Sequence, residues 1–275
     1  MLKHYQMPSL TSPRINNLPQ TVGRALDILE ALMESNEALG ITDLSRRVNL
    51  NKSTTYRIVQ ALRTRNYINQ DHQTNKYCLG HKIVRLASSF LNQNKLRELA
   101  RTHLEELSKK TSQTIQLAIW EGDKVVYIDQ VEGTDIFQVR LRIGDRGPLH
   151  CTAAGKSILA FLPEGEAEKI LKKAKFVPFT DKTITSMSQL RNDLGKIRRV
   201  GFSFSDQEYD KNLRAIGAPI IGMGSRVIGA IALVAPYNRI KVKEVSHYGS
   251  MVRGAGLKIS LVMGGQIERE GVERL

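Results

Sequence analysis

Three sets of residues in this 275-residue chain are of types that can do chemistry. They are the run Ala153-Ala154-Gly155-Lys156-Ser157, the histidines with two cysteines, and a segment dense in arginine and lysine between Thr42 and Arg85. The first has the Gly-Lys-Ser ending of a phosphate-cradling loop, whose backbone N–H groups wrap the phosphates only if another glycine lies five residues before Gly155. His150 stands there and Gly147 is out of register, so nucleotide hydrolysis is excluded. What survives is a helix start, with Thr152 as N-cap. Free backbone N–H groups and the small side chains of Ala153 and Ala154 form a ready site for a carboxylate. A helix that merely packs through small residues shows the same pattern, and spacing alone does not choose.

The remaining candidates thin out quickly. His4, His72, His81, His103, His150 and His247 have no spacing that suits a metal. Cys78 and Cys151 are too few for a disulfide framework or a cysteine-based zinc site. His150 and Cys151 adjoin along the chain without a third group to orient them, so they are no base and nucleophile. No catalytic residue, metal or cofactor is expected. The competing class, a hydrolase or transferase with a fused helical module, has no acid, base or nucleophile set to offer.

The arginine- and lysine-rich segment is different. The chain carries 41 Lys+Arg against 27 Asp+Glu, a net charge of +14. Between Thr42 and Arg85 stand nine basic residues and only two acids, Asp43 and Asp71, so half the net charge falls in 44 residues. That concentration points to an anionic partner. With 41% hydrophobic and 25% charged residues the chain is globular rather than disordered. Its longest apolar stretch, Ile228 to Ala235, is far short of the roughly 20 residues a membrane helix needs. Residues 1–17 lack the apolar core of a signal peptide, so a cytoplasmic protein without a membrane partner is expected.

The elements that must position these residues follow from periodicity. Residues 20–36 read as a helix with Val22, Ala25, Leu26, Leu29, Leu32 and Met33 on one stripe. Leu44 and Val48 define a short helix after Thr42, its expected N-cap, and Ile58, Ala61 and Leu62 a second one starting near Asn51 or Lys52. Between them Asn49 sits where a helix-turn-helix needs a positive φ, Ser45 is small enough for close approach, and Thr55 falls on a buried slot. Leu44, Val48, Leu50 and Ile58 form the expected core. The outer face of the second helix then offers Lys52, Ser53, Thr54, Tyr56, Arg57 and Gln60, side chains suited to base edges and phosphates in a major groove. Tyr67-Ile68 and Tyr77-Cys78-Leu79 flank a polar tip, Asp71 to Asn75. This reads as a wing, whose Lys76 and His72 reach toward DNA and whose Cys78 is a small packing residue.

A helix after Gly80 carries Ile83, Leu86, Ala87, Phe90 and Leu91 on one stripe. Pairing with a second copy would bury it and would suit a palindromic site. Beyond it, residues 95–110 read as a helix with Leu96, Leu99, Ala100, His103, Leu104 and Leu107 inward. Strands follow over TIQLAIW, KVVYIDQV and IFQVRLRI, with helices from Ala153, Pro163 and residue 188, strands over RAIGAPI and VIGAIALVAP, and a last helix over 242–262. The whole is an α+β chain.

The runs GRALDILE, LNKSTTYRIVQAL and KYCLG resemble the winged helix of IclR-type transcriptional regulators, and IGDRGPLHCTAAGKSILAFLP, RRVGFSFSDQEYDKNLRAIGAPI and VIGAIALVAP resemble their effector half. Together they cover most of residues 20–263. The resemblance implies a winged helix-turn-helix domain over 18–80, a linker and dimerisation helix over 81–94, and a GAF-like effector-binding domain over 95–265. It implies a homodimer or tetramer that binds double-stranded operator DNA and represses or activates a catabolic operon in response to a small metabolite. Carried over by position, the effector pocket comprises Ala153, Ala154, Ser205, Leu213, Ala215, Ala232 and Val234, with Val139 and Ile143 as its apolar wall. The chain departs from the family pattern in placing Asn49 where the turn usually has glycine. Ser205, Ala215, Ala232 and Val234 make the pocket less polar than others of its kind, which points to a small, mostly apolar carboxylic acid.

Overall fold

The computed structural model describes residues 20–35, 37–134 and 142–265. The chain divides between Phe90 and Leu91 into two compact units.

The first unit contains α1 (Gln20–Glu34), α2 (Ile41–Arg47), α3 (Lys52–Thr64), the hairpin strands β1 (Ile68–Gln70) and β2 (Tyr77–Leu79), and most of α4 (His81–Gln93). Its core is Ile28, Ala31, Leu32, Leu39, Leu44, Ile58, Val59, Ile68 and Tyr77. Two expectations from periodicity are corrected here. In α1 the buried face is Ile28, Ala31 and Leu32, while Val22, Leu26 and Met33 are half exposed or more; the helix is apolar on two sides, and spacing cannot say which one meets the core. In α3 Val59 is buried and Ala61 is exposed.

The connection between α2 and α3 is as the turn chemistry requires. Asn49 has φ 50°, a conformation that asparagine tolerates better than other non-glycine residues. Asn51 caps α3, its side-chain oxygen accepting the Thr54 N–H at 2.8 Å. Thr55 is fully buried and satisfies its hydroxyl by donating to the Asn51 carbonyl at 3.0 Å. The cap of α2 is Gly40 rather than Thr42, which lies inside the helix and accepts the Ser45 hydroxyl at 2.9 Å. β1 and β2 pair antiparallel, and Leu39 adds a rung against Tyr77 through reciprocal bonds of 2.9 and 2.8 Å. At the hairpin tip the Asp71 carboxylate accepts the Thr74 and Gln73 N–H groups, which hold its pKa below the usual carboxylate value. Cys78 is exposed, not packed.

The second unit is built on a six-stranded antiparallel sheet in the order β5-β4-β3-β8-β7-β6. Its strands are β3 (Thr114–Glu121), β4 (Lys124–Val131), β5 (Arg146–Pro148), β6 (Ser203–Asp206), β7 (Leu213–Ile221) and β8 (Val227–Pro236). Helices α5 (Lys95–Thr111) and α9 (Val245–Val262) cover one face, on Ile115, Leu117, Ile216, Ala218, Ile231 and Leu233. The other face holds Ala118, Ala230, Ala232 and Val234 under α6 (Ala153–Phe161), α7 (Glu164–Lys173) and α8 (Met187–Val200). With both faces covered, the central strands are apolar on both sides instead of alternating. Asp129 of β4, 3% exposed, is pinned by Arg97 and Arg101 of α5. Leu99, expected inward, is 40% exposed.

The strand expected over 136–143 lies almost wholly outside the described residues. Its described end is a turn: the Arg142 N–H donates to Asp145 Oδ2 at 2.8 Å and Gly144 has φ 94°.

Because the turn rests on one residue with positive φ, Asn49→Ala should destabilise the first unit by about 1–2 kcal/mol while Asn49→Gly leaves it unchanged or firmer. Calorimetric unfolding of the whole chain reads the difference.

Candidate DNA interface and effector site

In the first unit the structure brings the α3 residues to one surface. Lys52, Ser53, Tyr56 and Arg57 are exposed and Thr54 and Gln60 partly so, at spacings that put 52, 53, 56, 57 and 60 on one helical face. The helix contains no acid, and its N-terminal end adds partial positive charge. The Ser53 hydroxyl donates to Asn51 Oδ1 at 2.9 Å, which orders the start of that face. Lys76 and His72 are exposed on the hairpin, not on the helix. The unit thus presents a polar, cationic helix face and a separate basic wing. Among the described side chains of α4 none is buried; Val84, Leu86 and Phe90 are 65%, 51% and 52% exposed.

In the second unit the start of α6 lies against the edge strand β6 and is stitched to it. The Ser205 hydroxyl donates to the Cys151 carbonyl at 2.9 Å, and Ser203 to the Ala153 carbonyl at 2.7 Å. Thr152 caps the helix, its hydroxyl accepting the Gly155 N–H at 3.1 Å. Two glycines permit this approach. A Cβ on Gly217 would stand 2.6 Å from the Ala153 carbonyl oxygen, and one on Gly155 2.5 Å from Leu149 Cα.

Seven of the nine expected effector residues come together here. Ala153 and Ala154 are buried at the helix start. Ser205, Ala215 and Val234 form one row across β6, β7 and β8, with Leu213 two residues to one side of it on β7 and Ala232, opposite Gly217, two residues to the other side on β8. Ile143 does not join them as a strand residue; it is half exposed in the turn. Val139 lies outside the described residues. Ser205, the expected polar handle, has already committed its proton to Cys151.

Sequence reasoning missed Lys156. It is 1% exposed, and its ammonium donates to Asp193 Oδ2 at 2.8 Å, the Phe204 carbonyl at 2.6 Å and Glu208 Oε1 at 2.6 Å. The signal was present, since a lysine inside the apolar run AAGKSILAFL has to find buried acceptors. Burial pushes the Glu208 carboxyl up to about 7 against the pull of Lys156. It also pushes the Cys151 thiol and the Tyr127 phenol up, and His150 down. An aromatic cluster was equally unforeseen: His150 meets Phe176 with ring centroids 5.4 Å apart, and Phe179 meets Tyr209 at 5.1 Å. Among the described residues no group of histidine, cysteine, aspartate and glutamate could hold a metal, and no helix is long and apolar enough to cross a membrane.

A helix-turn-helix unit with an exposed cationic helix face, joined to an α+β unit built on a six-stranded sheet, defines a class, the two-part transcription regulators. Residues 21–72 match the IclR helix-turn-helix domain and residues 88–261 the C-terminal domain of IclR-type bacterial transcriptional regulators. The chain belongs to the IclR family. It is 34% identical to the HTH-type transcriptional regulator XynR of Escherichia coli K12 over 245 residues, covering 89% of this chain and 97% of that protein. It is likewise 34% identical to the E. coli regulator KdgR, over 89% of this chain and 92% of that one. The crystal structure of the Thermotoga maritima IclR matches with a TM-score of 0.72 at 27% identity, over 89% of this chain and 98% of that chain. These relatives are regulators, not enzymes.

Removing the ammonium would strand a buried carboxylate, so Lys156→Met should cost about 3–5 kcal/mol in denaturant unfolding. Lys156→Met combined with Glu208→Met should recover part of that loss, because the stranded charge goes with its partner.

Proposed function

We propose that the chain is a cytoplasmic, homo-oligomeric regulator that binds double-stranded operator DNA through α3 and the wing and controls a catabolic operon, as repressor or activator, in response to a small carboxylic acid. The observation that carries this is the exposed, acid-free face of α3, with Lys52, Ser53, Tyr56, Arg57 and Gln60 together on it and Thr54 beside it at the helix start. Lys76 supports it from the hairpin as a phosphate contact. Domain roles follow the same lines: residues 18–80 read DNA, 81–94 link and dimerise, and 95–265 bind the effector. The apolar stripe of α4, with Leu86 and Phe90 half exposed and Leu91 alone packed on the second unit's core, supports pairing with a second copy; two half-sites about 34 Å apart need two readers.

For the effector, the N–H groups of Ala153 and Ala154 would take the carboxylate, and Leu213, Ala215, Ala232 and Val234 the remainder, beside Ser205. Val139 and Ile143 complete the reading as its apolar wall. A heavily hydroxylated acid leaves hydroxyls unpaired against aliphatic walls at about 1–3 kcal/mol each. The rings of His150, Phe176, Phe179 and Tyr209, packed edge-on or tilted against one another, add aromatic surface in the same unit, which favours an aromatic or short aliphatic acid.

Lys52→Ala and Arg57→Ala should each weaken DNA binding and lower the salt slope by about one phosphate contact; wild-type affinity for both across several salt concentrations would refute the α3 assignment. In a thermal-shift panel, benzoate-like acids should stabilise the protein more than keto-sugar acids, and Ala154→Asp should abolish the response. Stabilisation by sugar acids alone would reverse the polarity argument.

A further inference from the structure

The Ala153–Ser157 run leaves one residue that neither the DNA face nor the effector contacts absorb, the buried Lys156. Its ammonium is shared between two carboxylates, Asp193 of α8 and Glu208 of the segment after β6. With all three groups ionised, the cluster holds one positive charge against two negative ones. The third N–H of the ammonium is spent on the Phe204 carbonyl, so none is left over for a ligand.

Glu208 is 7% exposed. Its Oε1 accepts from Lys156, and its Oε2 is shielded from solvent and has no hydrogen-bond partner among the described residues. The groups facing this carboxyl come from every neighbouring element. They are Lys156 of α6, Asp193 of α8, the Asp206 amide of β6 and Cys151 of the turn before α6. His150, held below its usual value by burial, is neutral near pH 7, and the Cys151 thiol, pushed up by burial, is neutral there too. Asp206 itself is occupied by Arg214 and Lys182.

The same contacts tie this cluster to the start of α6. Ser205 holds the Cys151 carbonyl, Ser203 holds the Ala153 carbonyl, and Lys156 holds Phe204 between them. A ligand carboxylate at Ala153 and Ala154 therefore adds a negative charge beside a buried cluster that already has an excess of one. Where water is excluded, like charges at close range are relieved by protonation. The free oxygen of Glu208 is the atom placed to accept.

We propose that Glu208 makes the effector site proton-linked: a carboxylate docking at the start of α6 is bound together with one proton, taken from solvent onto Glu208. This rests on the carboxylate reading above. The ligand enters as an anion, one proton enters with it, the cluster goes from one net negative charge to none, and no covalent bond changes. Glu208 is then also a specificity residue, because a dianion of similar size brings a second charge with no proton to offset it.

The test is calorimetric titration of benzoate and of 2-ketogluconate into the full-length protein and Glu208→Gln, from about pH 6 to about pH 8.5. The wild-type Kd should be nearly constant at the acid end and weaken toward tenfold per pH unit above about 7. Glu208→Gln, a permanent mimic of the protonated form, should hold the low-pH affinity throughout. Wild-type heats in phosphate and in Tris near pH 7.5 should differ by the uptake of a fraction of a proton up to one, a measurement that needs no variant. A flat wild-type profile with buffer-independent heats overturns the inference, and so does a Glu208→Gln protein that keeps the wild-type slope. Failure of both acids to bind wild type at about pH 6 overturns the carboxylate reading itself, and this inference with it.

Discussion

A lysine ammonium that is 1% exposed has to place each of its N–H groups on an acceptor, because any one left over is a charged donor cut off from water. Lys156 does this with acceptors from three places: Asp193 on α8, the Phe204 carbonyl on β6, and Glu208 beyond it. The relative placement of α6, α8 and the outer edge of the sheet is thereby set around one nitrogen atom. Phe204 belongs to the edge strand β6, whose outward groups would otherwise offer a pairing edge, so the same contact that anchors the helix also covers the sheet. The start of α6 inherits its position from this anchor. Small residues above and below it, Ala153, Ala154, Gly155 and Gly217, are what let the helix come close enough for the anchor to reach.

The first unit is organised by a different constraint. Its core is nine buried apolar residues, and the angle between α2 and α3 is fixed by backbone chemistry at two asparagines. Asn49 supplies the left-handed residue and Asn51 closes the open N–H groups of α3. Neither uses a charge, and the basic residues of α3 and the hairpin face outward with no acidic partner among the described residues. Charge is thus spent inside the second unit and displayed on the first.

Local signals in the sequence carried much of this. The turn asparagine, the Thr152 cap, the hairpin tip at Asp71 and the exposed face of α3 each depend on a few neighbouring residues whose chemistry has one favoured outcome. Signals failed where the outcome depends on distant residues. In α1 two apolar stripes compete, and packing against distant residues of α2, α3 and β2 decides which is buried. Thr42 looked like a cap, but Gly40, already extended, takes that place. Lys156 was read as part of a failed phosphate loop, since Asp193 and Glu208 lie 37 and 52 residues away along the chain. The aromatic cluster around His150 is hidden for the same reason. The row of Ser205, Ala215 and Val234 across β6, β7 and β8 was legible only through resemblance to the family, because alternation along separate strands does not reveal their register.

The central claim is that α3 reads DNA in a paired arrangement and that an acid at the start of α6 alters this binding. DNase footprinting of the full-length protein on the region upstream of its own gene, with and without benzoate, tests both halves at once. The account predicts protection of two symmetric half-sites about one helical turn apart, changed by the acid in wild type but not in Ala154→Asp. Uniform, sequence-independent protection that neither benzoate nor a keto-sugar acid alters would contradict it.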